Sequence, residues 1–145
     1  MEWIDNIIVG LLDTYETNNP YELCNYLGIK IIKLEPENAL LRKKDAFYYR
    51  DLEDKEVIFI KNNLNELTER FIIAHELGHA LCNPDLLRAS FVLSNKGKLE
   101  KQANYFAFNL LNIFLDKSNL KDLTLKQISS YTYTPYTVLM QLFYD

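Results

Sequence analysis

The sequence has little of several residue types, and each shortage excludes a class of protein. Two cysteines in 145 residues, Cys24 and Cys82, are too few for a disulfide framework, and we expect free thiols in a reducing compartment. Four glycines and four prolines leave no room for a low-complexity linker. The net charge of −4 gives no basic surface for nucleic acid or an anionic membrane. No apolar run spans a bilayer and the N-terminus lacks a signal peptide, so we expect a cytoplasmic protein.

The remaining composition, 48% hydrophobic and 25% charged, is that of one soluble domain covering residues 1–145. Hydrophobic periodicity and capping residues predict nine elements. These are helices at 2–16 and 20–27, strands at 29–34, 46–50 and 56–61, a central helix capped by Asn63 or Asn65 and ending near Pro84, a helix at 99–115, and short helices at 123–131 and 136–143. We expect residues 85–97 to form a loop.

The three strands predict a small antiparallel sheet, and with the helices an α+β fold. The two last helices, in a C-terminal subdomain of about residues 117–145, have the outline of a helix-turn-helix. The second of them carries no lysine or arginine, so we expect it to pack against the domain rather than to read DNA.

The central helix contains the only two histidines of the chain, in the sequence His75-Glu-Leu-Gly-His79. Residues four apart lie on one helix face, so the two imidazoles can converge on one ion. Glu76, about 100° further round the helix, can reach a water held by that ion. This spacing is typical of zinc hydrolases, which need a third protein ligand and an open fourth position. Gly78 in the helix indicates either the close approach of another backbone or simple tolerance of glycine.

Glu100 is the best candidate for the third ligand, because Ala103 and Ala107 would let its helix approach the central helix. An acidic residue that merely favours the helix dipole is an equal alternative at this point. Asn104, one turn after Glu100, could accept a hydrogen bond from the other nitrogen of a metal-bound imidazole. Cys82 lies near the histidine face, and as a fourth ligand it would close the site and make it structural.

Three segments of the chain belong together: Ile58-Phe-Ile-Lys-Asn, the run Glu69-Arg-Phe-Ile-Ile-Ala-His-Glu-Leu-Gly-His, and Glu100-x-x-Ala-Asn-x-Phe-Ala. In this order they resemble the ImmA/IrrE family of metallopeptidases. The likeness extends from about Tyr21 to the C-terminus. It departs from the family pattern at Leu110-Leu-Asn-Ile, where Leu-Leu-x-Pro is usual, and at Asn83, where a histidine is frequent.

The resemblance implies that His75, His79 and Glu100 are zinc ligands and that Glu76 is the catalytic acid and base. It also implies a zincin-like helical core packed against the sheet. Members of the family are intracellular, and many cut a helix-turn-helix repressor encoded by the same phage or mobile element. We therefore expect a zinc endopeptidase with a repressor as substrate. The alternatives are a metal-containing protein that only sequesters the repressor, and a structural zinc site closed by Cys82.

Overall fold

The computed structural model describes residues 1–84 and 96–144. Within these residues it contains six α-helices and one small sheet, which confirms a mixed fold with a three-stranded sheet. The elements are α1 Glu2–Tyr15, α2 Pro20–Leu27, β1 Ile29–Leu34, β2 Ala46–Arg50, β3 Glu56–Lys61, α3 Glu66–Cys82, α4 Lys96–Leu111, α5 Leu125–Thr132 and α6 Tyr136–Tyr144. Most of the loop predicted at residues 85–97 lies outside the described residues.

The sheet is mixed, so the prediction of a wholly antiparallel sheet is wrong. β3 lies in the centre, with β2 antiparallel on one side and β1 parallel on the other. Residues 35–45 carry the chain past the position of β3, and β2 then returns through a hairpin so that β3 fills the gap. Alternating apolar residues are the same in parallel and antiparallel strands, and the pattern therefore gives no strand direction.

Helix α3 contacts both the sheet and α4. Of the two candidate caps, Asn65 is used: its side chain accepts a hydrogen bond of 2.9 Å from the backbone N–H of Thr68. The alternative capping box of Asn63 and Glu66 is therefore not formed. Phe71 and Ala74 of this helix are buried, whereas Leu67 is 43% exposed.

Helices α3 and α4 pack closely because both have small residues at their contact. A Cβ atom built on Gly78 would lie 3.1 Å from the carbonyl oxygen and 3.2 Å from the Cα atom of Ala103. Of the two readings of Gly78, the close approach of a backbone is the correct one. Helix α4 begins before Leu99 and ends at Leu111, earlier than predicted, so that Phe114 lies beyond it and is 78% exposed.

The two C-terminal helices form a second small core with α4. Phe108 of α4, Ile128 of α5 and Leu139 of α6 are buried together. Thr124 and Gln127 make a reciprocal capping box at the start of α5. No helix in the described parts of the chain is long and apolar enough to cross a membrane.

Candidate metal centre and cleft

The structure brings together the three side chains that the sequence predicts as metal ligands. His75 and His79 come from α3, and Glu100 comes from the first turns of α4. Nε2 of His75 lies 3.1 Å from Oε2 of Glu100, and Nε2 of His79 lies 3.0 Å from Oε1. The ligand atoms of the three residues all lie within 4.8 Å of one another. Two imidazoles and one carboxylate thus face a common point.

Helix geometry explains this convergence. The histidines are one turn apart on α3, and their rings are nearly perpendicular, with centroids 4.8 Å apart. The contact of Gly78 with Ala103 fixes the distance between the helices just beside Glu100. A larger residue at either position would move the carboxylate away from the imidazoles.

Asn104 fixes the orientation of one imidazole. Its Oδ1 lies 2.7 Å from Nδ1 of His75, and its Nδ2 donates a hydrogen bond of 2.6 Å to Oε1 of Gln141 on α6. Nδ1 of His75 is therefore a donor, and when the imidazole is neutral the lone pair of Nε2 faces Glu100. Sequence reasoning missed Gln141, because it lies 37 residues from Asn104 and no short motif includes it.

This donor set fits a divalent cation. With the proton of His75 on Nδ1, the lone pair of its Nε2 faces a carboxylate oxygen, and two electron-rich atoms at 3.1 Å repel unless a positive charge accompanies them. Protonation of the imidazole supplies that charge in the metal-free protein, and a cation between the ligands would supply it otherwise. Two histidine nitrogens and one carboxylate oxygen are a ligand set that zinc accepts.

The two imidazoles differ in the hydrogen bonding of their Nδ1 atoms. Nδ1 of His75 is held by Asn104, whereas Nδ1 of His79 is buried without a hydrogen-bond partner in the described part of the chain. Metal-bound histidines generally donate their second N–H to a carboxylate, a carbonyl or water. Among the described residues, His75 therefore has the hydrogen-bond partner expected of a metal ligand, and His79 does not.

The electrostatics of the metal-free cluster are those of an ion pair. Burial favours a higher pKa for Glu100, but its hydrogen bonds to His75 and His79 outweigh this and lower the pKa well below 4.5. Burial pulls the pKa of His75 down, yet the hydrogen bond to Glu100, the charges of Glu76 and Glu100 and the contact with Asn104 together raise it above 6.5. Both shifts favour the charged pair.

These shifts have opposite consequences for stability. The raised pKa of His75 stabilises the fold fully below pH 6.5, and this contribution is lost as the pH rises through the pKa of the folded state. The lowered pKa of Glu100 stabilises the fold above pH 4.5, and this contribution is lost as the pH falls through its folded value. The metal-free cluster is therefore most favourable in mildly acidic solution.

Glu76 lies next to the ligands, lines the same cleft and is 9% exposed. Burial raises the pKa of its carboxyl group above 4.5, and the nearby positive charges of His75 and His79 oppose that shift. A carboxylate with a raised pKa is a stronger base at neutral pH than an ordinary glutamate.

The cluster lies at the floor of a cleft of about 850 Å³. One wall is β2 with the residues that follow it, and another is α3. The third is formed by Pro135 and the first turn of α6, through Thr137 and Val138. β2 is an edge strand, so the backbone groups on its outer edge pair with no other strand among the described residues. The start of α6 thus contributes to the cleft, which the sequence did not indicate.

Cys82 does not join the cluster. It is half-buried at the last residue of α3, and the candidate ligand group of the described residues consists of His75, His79 and Glu100 alone. Burial raises the pKa of its thiol to about 12, which disfavours the thiolate that a metal requires. Asn83, the next residue, donates a hydrogen bond of 2.8 Å to Gln102 of α4.

Comparison with known proteins agrees with this geometry. Residues 24–139, well over half of the chain, match the peptidase family described as the IrrE N-terminal-like domain. The chain belongs to this family. The match includes both ligand-bearing helices, β2 and most of the C-terminal helices.

Two curated relatives illustrate the likeness. The uncharacterized immunity region protein 2 of Bacillus phage phi105 is 35% identical over 104 residues, covering 70% of this chain and 63% of the relative. Metallopeptidase ImmA of Bacillus subtilis strain 168 is 36% identical over 115 residues, covering 74% of this chain and 62% of the relative. The chain thus spans less than two thirds of the length of either relative. No solved structure matches the chain.

Proposed function

We propose that the protein is a zinc-dependent endopeptidase that cuts a helix-turn-helix transcriptional repressor of a phage or mobile element and so relieves repression. The observation that carries the proposal is the convergence of His75, His79 and Glu100 beside Glu76 in one cleft. The names of the relatives support a peptidase that acts in phage immunity, since one is named as a metallopeptidase and the other as a phage immunity region protein.

Each residue has a distinct role in the proposed reaction. His75, His79 and Glu100 would hold the ion, and Asn104 keeps His75 in the tautomer that can bind it. A bound zinc ion supplies Lewis acidity, which acidifies water and polarises a carbonyl group. Glu76 takes the proton of the attacking water and then delivers it to the leaving amine. The raised pKa of Glu76 suits both transfers.

The substrate would lie extended along β2. This strand borders the cleft, and its outer edge is unpaired within the described residues. An added strand would be bound through backbone hydrogen bonds, which require N–H groups on the substrate. We therefore expect prolines beside the scissile bond to block cleavage, as measured with a proline scan of the substrate. Cleavage that is indifferent to proline would contradict this mode of binding.

The decisive experiment is incubation with the repressor encoded beside this gene, with and without a chelator, followed by mass determination of any fragments. Glu76→Gln should retain zinc and fold but lose cleavage, because an amide cannot accept the proton. Glu69→Gln is the matched control: this buried glutamate lies on the same helix but binds Tyr21 and Lys33 away from the cleft, so cleavage should persist. Cleavage by Glu76→Gln would refute the mechanism.

The same incubation, together with zinc measurements on two further variants, tests the two other candidate functions. A protein that only sequesters the repressor would leave it intact in a stable complex, and Glu76→Gln would act like the unaltered chain. A structural zinc site closed by Cys82 would lose zinc in Cys82→Ser and keep it in Glu100→Ala. The position of Cys82 outside the ligand group disfavours this second alternative.

We further propose that residues 1–145 act as a single metallopeptidase domain, with a C-terminal helical subdomain of about residues 117–145. The contacts of α6 with α4 and the contribution of Pro135, Thr137 and Val138 to the cleft support this view. The substrate would be met in the cytoplasm, where a repressor works, without direct contact between this protein and DNA.

A further inference from the structure

The metal centre is connected to the last helix of the chain by two consecutive hydrogen bonds. His75 contacts Asn104 on α4, and Asn104 contacts Gln141 on α6, at 2.7 and 2.6 Å. We propose that Gln141 is a positioning residue for the metal site, which acts through Asn104 by fixing the direction of its amide. This inference rests on the proposed zinc site, but not on peptidase activity.

The direction of each hydrogen bond in this series follows from the metal. When Nε2 of His75 binds a cation, Nδ1 must carry the proton, and Nδ1 then needs an acceptor. Only the Oδ1 atom of Asn104 can accept, so the Nδ2 group must point away from His75. Gln141 supplies the acceptor that Nδ2 requires on that side.

Without Gln141, the amide of Asn104 can turn by 180°. It would then donate to Nδ1 of His75 and favour the tautomer that carries its proton on Nε2. In that tautomer Nε2, which faces the other ligands, has no lone pair for a metal. The acceptor on α6 therefore opposes the tautomer that would block the site.

Packing holds Gln141 in place. Leu139, two residues earlier on α6, is fully buried against Phe108 of α4. Asn104 lies one turn before Phe108 on α4, so the contact between the helices extends from the small C-terminal core to the Asn104–Gln141 pair. The C-terminal subdomain thereby supports the metal centre as well as one wall of the cleft.

Two variants of Gln141 test the inference. Gln141→Met keeps the length of the side chain and removes the acceptor, whereas Gln141→Glu provides an acceptor that cannot donate when ionised. We expect Gln141→Met to weaken zinc binding by about 3- to 10-fold, less than the roughly 10- to 100-fold loss expected for Asn104→Ala. Gln141→Glu should bind zinc at least as tightly as the unaltered chain. Competition with a chromophoric chelator measures all these affinities.

A double-mutant cycle separates positioning from general effects. In the Asn104→Ala background, Gln141→Met should change zinc affinity by less than about twofold, because the amide on which it acts is gone. Gln127→Ala is the control for damage to the subdomain: it removes the capping box of α5 and should lower the midpoint of thermal unfolding without changing zinc affinity. An equal loss in Gln127→Ala and Gln141→Met would overturn the inference.

The tautomer of His75 provides a readout that is independent of zinc. The chain has only two histidines, so their ¹⁵N resonances are simple to assign. In the metal-free protein at a pH where the imidazoles are neutral, Glu100 favours a proton on Nε2 of His75 and Oδ1 of Asn104 favours one on Nδ1, so the unaltered chain and Gln141→Glu should show a measurable population of the Nδ1 tautomer. Gln141→Met should shift the population toward Nε2, and an unchanged tautomer there would refute the proposal. Absence of zinc binding by the unaltered chain would instead refute the proposed function.

Discussion

Replacement of Gly78 by alanine tests whether the spacing of α3 and α4 is what forms the metal site. Alanine in a helix interior is favoured over glycine by about 1 kcal/mol. The added methyl group would, however, lie 3.1 Å from the carbonyl oxygen and 3.2 Å from the Cα atom of Ala103. These are backbone atoms, so α4 must move by a few tenths of an ångström to relieve the contact.

Overpacking of this kind costs typically about 1–3 kcal/mol, which exceeds the gain in helix propensity. We expect Gly78→Ala to lower the free energy of unfolding by up to about 2 kcal/mol in urea titrations with a chelator present. The displaced segment lies between Glu100 and Asn104. Zinc ligation tolerates deviations of only about 0.2 Å, so zinc affinity should also fall.

Gly10→Ala is the matched control. Gly10 lies in the interior of α1, and a Cβ atom there would meet nothing within 4 Å. This substitution should raise the free energy of unfolding by about 1 kcal/mol and leave zinc affinity unchanged. If Gly78→Ala stabilised the protein as much as Gly10→Ala does, or bound zinc normally, the spacing argument would be wrong.

Three further predictions concern the cluster and its surroundings. Zinc should raise the thermal unfolding midpoint more at pH 8 than at pH 6. The metal-free chain loses the stabilisation from the raised pKa of His75 over this range, and zinc competes with fewer protons for the ligands. An increase that is the same at both pH values would refute this prediction. Cys82→Ser should retain zinc in equilibrium dialysis, and Glu100→Ala should lose it. Tyr21→Phe removes a 2.7 Å hydrogen bond to the buried Glu69, so urea titration should show about 1–3 kcal/mol of destabilisation with zinc affinity unchanged.

Local signals in the sequence predicted the elements well. The strand bounds at Ile29–Leu34, Ala46–Arg50 and Glu56–Lys61 are those of the structure, because charged or glycine residues interrupt each apolar run. Helix α2 begins at a proline after an asparagine cap and ends before Gly28, whose φ of 76° suits glycine. These signals act within a few residues, so the sequence alone is sufficient to recognise them.

Features that depend on distant contacts were not predictable in this way. The parallel pairing of β1 with β3 depends on how residues 35–45 cross the sheet, and a strand pattern contains no information on direction. Helix α4 was predicted to continue through Phe114, although no apolar partner covers that side chain in the described structure. The contact of Gln141 with Asn104 depends on the docking of two helices, which no spacing in the sequence encodes.

The open edge of β2 has a consequence for the solubility of the protein. An exposed edge strand with Phe47, Tyr48 and Tyr49 can pair with the same strand of a second copy, which is a common route to aggregation. Lys43, Lys44 and Asp45 precede this strand and Asp51 follows it, so charged residues flank it on both sides. Such flanking charges oppose a parallel, in-register stack of identical strands, since like charges would then lie side by side. A single substrate strand meets no such repulsion, and the edge can remain available for binding while stacking of this kind is suppressed.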